Sequence, residues 1–187
     1  GPARAMALLG LATALCLLPF ASKAVHIDDP LFIWVARHIV LHPLDPYGFS
    51  VNWSLAEQPM FDVTKNPPLA SYLIALAGSV VGWSEAALHI VFLVPAILVV
   101  LGTYQLARRT CSLPVVASLG ALLTPVFLLS ASGVMCDTLM LAFWVWSAVL
   151  WHDGLERSDA RRLALAMVLA TAGALTKYFG MAVIPLL

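Results

Sequence analysis

The chain has 187 residues, 61% of them hydrophobic and only 11% charged, with a mean hydropathy of +0.93. An ordinary soluble domain carries roughly a quarter charged residues, so a water-soluble globule is excluded and the bilayer must replace the buried core as the place to hide side chains. Ten Lys plus Arg balance ten Asp plus Glu, which leaves no bulk charge to attract nucleic acid.

The first apolar segment covers residues 6–21, sixteen residues without a charge, preceded by Arg4 and followed by Ser22 and Lys23. It has the look of a secretory leader, but no small-x-small cleavage site followed by a soluble domain comes after it, so a retained anchor is expected. Arg4 places its start in the cytoplasm. Residues 22–68 then hold five of the ten acids (Asp28, Asp29, Asp45, Glu57, Asp62) and six of the twelve prolines, the composition of a long loop outside the membrane. In Val25-His26-Ile27-Asp28-Asp29-Pro30, Asp29 before Pro30 is expected to act as N-cap and N1 of a short interfacial helix running through His38. Asp28 has no such structural task. Adjacent carboxylates raise each other's proton affinity and could supply a general base or hold a divalent cation.

The loop closes on Lys65-Asn66-Pro67-Pro68-Leu69, with Tyr72 one turn later. The diproline fixes the entry angle of the next segment and holds Lys65 and Asn66 at the membrane surface, within reach of a lipid phosphate. A plain turn before a helix is the alternative. Apolar segments come next at 69–83, 86–107, 113–129, 133–152 and 163–187. If all crossed, Arg108-Arg109 and the cluster Arg157, Arg161, Arg162 would share a side with the long loop and violate the positive-inside rule twice. If 69–83 enters and leaves on one face, as Pro67, Pro68, Gly78 and Gly82 suggest, both clusters become cytoplasmic and Asp137 joins the long loop outside.

Asp137 opens the segment 133–152, where a helix N-terminus favours an acid but membrane depth penalises it. Lys177, in Thr176-Lys177-Tyr178-Phe179-Gly180, raises the same question with opposite sign: it could snorkel to phosphates or bind one specific lipid phosphate. The tryptophans Trp144, Trp146 and Trp151, together with His89 and Pro95, are expected to pack or to mark the interface. Cys16, Cys111 and Cys136 have neither disulfide nor zinc spacing. The start at Gly1 without Met and the stop at Leu187 within an apolar run lead to the expectation of a longer parent protein.

The order of these features (span, acidic pair, long loop, Pro-Pro-Leu with a tyrosine, several spans, an Asp at a span start, then Thr-Lys) resembles the N-terminal part of GT-C type membrane glycosyltransferases. Within that type, the resemblance is to the protein O-mannosyltransferase and lipid A aminoarabinose transferase superfamily, family 39. It implies an all-α polytopic transmembrane bundle with an extracytoplasmic loop containing short interfacial helices, residues 1–187 being the first part of one domain. It further implies that Asp28 matches the acid proposed as base on the acceptor hydroxyl and Asp29 the second of the pair, both as catalytic residues. The Ala36-Arg37 step matches the Ala-Arg of many members. Asn66-Pro67-Pro68-Leu69 matches the family's Lys-Pro-Pro-Leu or His-Pro-Pro-Leu, Asp137 the acid opening a later span and Thr176-Lys177 its Thr-Lys, so that Asp137, Lys177, Lys65, Asn66 and Tyr72 form the substrate-binding set.

The sequence departs from the pattern in carrying Asn66 where the aminoarabinose enzymes have lysine, and Asp where the pair often has Glu. The implied chemistry is inverting transfer from a polyprenyl-phosphate sugar to a protein, lipid or glycan acceptor, on the outer face of a bacterial inner membrane. No spacing demands a cofactor, and a divalent cation bridging carboxylates and phosphate is possible. A transporter fragment with Asp137 and Lys177 lining a polar path is the alternative from another class. A plain anchor for a further domain is a third, and it predicts that Asp28 is dispensable.

Overall fold

The computed structural model describes residues 1–187 and contains nine α-helices with a single two-stranded hairpin. α1 (Pro2–Leu17) continues into a 3-10 turn at Leu18–Phe20. α2 (Asp29–Leu41) is followed by the antiparallel pair β1 (Ser50–Asn52) and β2 (Glu57–Pro59), a short α3 (Met60–Thr64) and α4 (Leu69–Val81). The remaining helices are α5 (Glu85–Thr110), α6 (Pro114–Leu122), α7 (Pro125–Ala131), α8 (Cys136–Arg157) and α9 (Ala160–Thr176), with a 3-10 segment at Tyr178–Leu186.

Two buried clusters divide the molecule. One joins α1, α5, α6, α7 and α8 through Leu9, Leu17, Val99, Val100, Tyr104, Leu122, Phe127 and Ala142. The other joins α2, α4, the start of α5 and the entry to α8 through Phe32, Val35, Ala36, Met60, Ile74, Leu88 and Val134. The α2 residues Leu31, Phe32, Val35, Ala36 and Ile39 recur at helical spacing, so this helix buries one stripe and lies on the bundle as a cover. Completely burying a side chain the size of Met60, Ile74 or Leu88 contributes about 1.5–3 kcal/mol where water is the alternative.

Side-chain partners give the helix directions. Gly10 faces Ile97 while Met6 meets Gln105, so α1 runs opposite to α5. Trp146 bonds Leu98 and Arg109 reaches Val149, so α5 and α8 run the same way. Lys177 meets Asp137 while Leu163 packs on Gly154, so α9 runs back. Arg108, Arg109, Arg157 and Arg162 therefore gather at one end, where α1 begins, and the long loop, Asp137 and Lys177 at the other. α4 begins beside Pro43, to which Tyr72 donates, and ends at Trp83, over which Arg37 of α2 stacks at 5.3 Å. Both its ends thus lie in the layer of α2.

Pro2–Phe20 and Glu85–Thr110 are long and apolar enough to cross a membrane, and α6 with α7 would make a third span if counted together. Three sequence expectations need correction. The segment 113–129 is not one helix: it breaks at Thr124 with a 63° bend, because Pro125 has no N–H to continue the ladder and its ring excludes the carbonyl a turn earlier, which accepts the Thr124 hydroxyl at 2.9 Å instead. Nor is 163–187 one continuous helix. α9 stops at Thr176, Lys177 is extended, and the chain folds back along α9 until Ile184 and Leu187 approach Trp151, Met167 and Ala170. Finally, α2 starts one residue earlier than expected, with Asp28 at the cap position and Asp29 as the first helical residue.

Candidate functional site

The site is built where the acidic turn before α2, the entry to α8 and the end of α9 converge. The turn is strained: Ile27, a β-branched residue, holds φ at 52° in the left-handed region. Asp29 N–H donates to the His26 carbonyl at 3.1 Å, which closes the turn and opens α2.

The two carboxylates of the pair differ completely. Asp29 is fully buried, and both its oxygens receive backbone amides: Oδ1 from Val134 N at 3.0 Å and Oδ2 from His26 N at 3.2 Å. It therefore does not cap its own helix but ties the first loop to the chain that enters α8. Gly133 makes this approach possible, since a Cβ there would lie 2.9 Å from Asp29 Oδ1. Asp28 is exposed and its side chain makes no capping bond. It lies close enough to Lys177 for its charge to act on that ammonium.

Asp137, in the first turn of α8, accepts a 2.6 Å hydrogen bond from Lys177 Nζ, with both side chains about one-third exposed. Lys177 follows the last turn of α9, where the helix dipole favours a cation. The reversal after it is pinned by α8: Trp144 Nε1 donates to the Gly180 carbonyl at 2.7 Å and its ring stacks on Phe179. Gly180 sits against the Gly173 carbonyl, leaving no room for a side chain. Cys136 Sγ lies 3.7 Å from Asp137 Oδ2.

The other expected substrate contacts fall nearby with different tasks. The Asn66 carbonyl accepts the Tyr47 hydroxyl, and its amide lies 3.5 Å from Thr64 Oγ1. Tyr72 donates to the Pro43 carbonyl at 2.6 Å and so braces the loop. Lys65 is exposed and in the left-handed conformation, ending α3. Asn66, Pro67 and Pro68 form one wall of a cleft of about 370 Å³, completed by Tyr47, Phe61, Tyr178, Met181 and the α9 residues Thr171, Ala174 and Leu175. An apolar trough lined by Leu69, Ala164, Met167, Val168, Thr171, Ala172 and Leu175 continues down α9.

Three participants carried no signal in the sequence. Lys23 donates to Ser132 Oγ at 2.9 Å, 109 residues away. Burial holds its ammonium below the ordinary lysine value, and the Asp29 carboxylate partly offsets that. Tyr47 is pushed up to about 12, first by burial and then by Tyr178, Cys136 and Tyr72, so it stays a neutral hydrogen-bond donor. Tyr178, beside Lys177, was visible only as its neighbour. No three His, Cys, Asp or Glu side chains converge as a metal-binding group.

Taken together, this end of the bundle offers an exposed carboxylate, an ion-paired ammonium and, nearby, an apolar cleft against α9. No curated protein and no solved structure matches the chain. The family described as dolichyl-phosphate-mannose-protein mannosyltransferase matches residues 65–187, a stretch that contains Lys65, Asn66, Tyr72, Asp137 and Lys177 but begins after Asp28 and Asp29. The chain belongs to this family of membrane glycosyltransferases of the mannosyltransferase type, as an all-α integral membrane protein.

Proposed function

We propose that the protein transfers mannose from a prenyl-phosphate donor to a hydroxyl of a protein acceptor, at the end of the bundle that carries Asp28, Asp137 and Lys177. The observation that carries this is the Asp137–Lys177 pair within electrostatic reach of exposed Asp28, next in the chain to Tyr178, which lines an apolar cleft against α9. Asp28 takes the proton of the acceptor hydroxyl as its oxygen bonds to the anomeric carbon. The bond from that carbon to the phosphate oxygen breaks on the opposite face, which inverts the centre, and the electron pair leaves on prenyl phosphate. Lys177 neutralises that leaving group, and Asp137 fixes the ammonium where the charge develops. The apolar trough along α9 suits the prenyl chain.

Asp29 is a positioning residue in this scheme, since both oxygens are already engaged by amides. With the arginine-rich end in the cytoplasm, α1, α5, α6 with α7, α8 and α9 cross and α4 does not, so the site faces outward. Asp137 and Lys177 neutralise each other at one end of the bundle, which together with the family match favours transfer over a polar path through the membrane.

The experiment is transfer of labelled mannose from prenyl-phosphate mannose by the full-length enzyme. Lys177→Gln is expected to lower kcat/KM by about 10²–10³, the range for loss of one preorganised donor at a developing oxyanion, with unchanged membrane insertion. Wild-type rates in that variant would remove Lys177 from the reaction.

A further inference from the structure

The arginines at the opposite end do more than satisfy a charge bias. Gln105, Arg108 and Arg109 of α5, Trp146, Val149, Leu150, Asp153 and Arg157 of α8, and Arg162 of α9 enclose a cavity of about 440 Å³. Four guanidinium groups thus face one carboxylate. Asp153 is fully engaged: one oxygen pairs with Arg109 and the other with Arg162 at 3.0 Å, which clamps α5, α8 and α9 together. Arg162 is steadied further by Asp159 at 3.2 Å. Arg108 bonds the neutral Gln105 Oε1 at 3.2 Å and lies over the Tyr104 ring at 5.9 Å, and neither it nor Arg157 forms an ion pair. The lining therefore keeps an excess of positive charge around an open space, with Trp146, Val149 and Leu150 as an apolar wall on one side.

The positive-inside rule accounts for how many arginines lie at this end, but not for their convergence on a cavity from three helices, nor for a buttressing aspartate that orients two of them. Guanidinium groups match phosphate oxygens with parallel N–H donors, and basic pockets between membrane helices bind lipid head groups. We propose that this cavity binds a phosphate oxyanion, with Arg108 and Arg157 as its direct ligands. An anionic lipid head group fits best, its glycerol and chains lying against Trp146, Val149 and Leu150. Such a ligand would bridge α5 and α8 far from the mannose-transfer site.

The test uses the full-length protein in phosphatidylcholine nanodiscs, with and without added phosphatidylglycerol, and separately with inorganic phosphate. The readouts are lipid adducts by native mass spectrometry and the melting temperature. The expected result is retention of phosphatidylglycerol over phosphatidylcholine, a raised melting temperature, and a loss of about tenfold or more in affinity in Arg108→Gln/Arg157→Gln. Arg161→Gln, outside the cavity, should bind as wild type, and Arg108→Lys/Arg157→Lys should recover part of the affinity. Melting in pure phosphatidylcholine checks that the glutamine variant is folded. Binding of inorganic phosphate with the same arginine dependence would support the site and assign it to a soluble anion. Equal retention of both lipids with no phosphate binding, or full binding by the folded glutamine variant, would overturn it.

Discussion

Asp28 and Asp29 are neighbours with the same side chain, yet one is solvent-facing and the other fully buried. The difference follows their partners: the Val134 and His26 amides hold the Asp29 carboxylate inward, whereas the Asp28 side chain makes no such bond. Asp29→Ala leaves two backbone donors without acceptors, so a loss of about 1–3 kcal/mol is expected, seen as a lower melting temperature together with reduced transfer. Asp28→Asn should leave the melting temperature unchanged. Equal stability losses in both variants would contradict the division of roles. The pair itself was readable from the sequence, and so was a structural task for Asp29 alone. That the task is not helix capping was unreadable, because Asp29's partner lies 105 residues away and no local pattern encodes that pairing. The same holds for Lys23 with Ser132, and for Tyr47 with Asn66.

Among the elements, helix starts and breaks obeyed the local chemistry that the sequence displays. Proline and small residues kept α4 short, and Glu85 after Ser84 opened α5 with the Ser84 hydroxyl accepting from Ala87 N at 3.2 Å. Pro125 was equally visible, yet the apolar run around it concealed the break. The end of α9 was illegible for another reason. The apolar run resumes after Lys177 through Phe179 and beyond, and what stops the helix is tertiary: the Gly180 backbone docks on the Gly173 carbonyl and Trp144 holds it there. Gly180→Ala is therefore expected to push the reversal off α9 and displace Lys177. The predicted outcome is a loss of at least tenfold in transfer with helical content retained, measured by activity and circular dichroism. Gly120→Ala, where a Cβ meets nothing, is the control and should be silent.

On the scale of the whole molecule, parity and the positive-inside rule lead to the expectation that one apolar segment does not cross. The helix directions separate two ends, with Asp28, Asp137 and Lys177 at one and the arginine cavity at the other. Thiol labelling in sealed vesicles tests the sidedness. Cys111, exposed just beyond α5 at the arginine end, should react with an impermeant reagent only from the cytoplasmic side. A cysteine introduced by Leu55→Cys at the fully exposed hairpin tip should react only from the outside. Both sites labelled from one side would mean that the bundle crosses differently.

Catalysis in this scheme depends on Asp28 removing the acceptor proton at a site where Lys177 receives the leaving phosphate. The decisive measurement is transfer of labelled mannose from a prenyl-phosphate donor by the full-length enzyme, comparing wild type with Asp28→Asn at equal membrane insertion. The expected result is a fall in kcat of about 10²–10⁴, the range for loss of a positioned base, with little change in donor KM. Transfer at the wild-type rate would contradict the scheme and return Asp28 to the role of a simple helix-start residue.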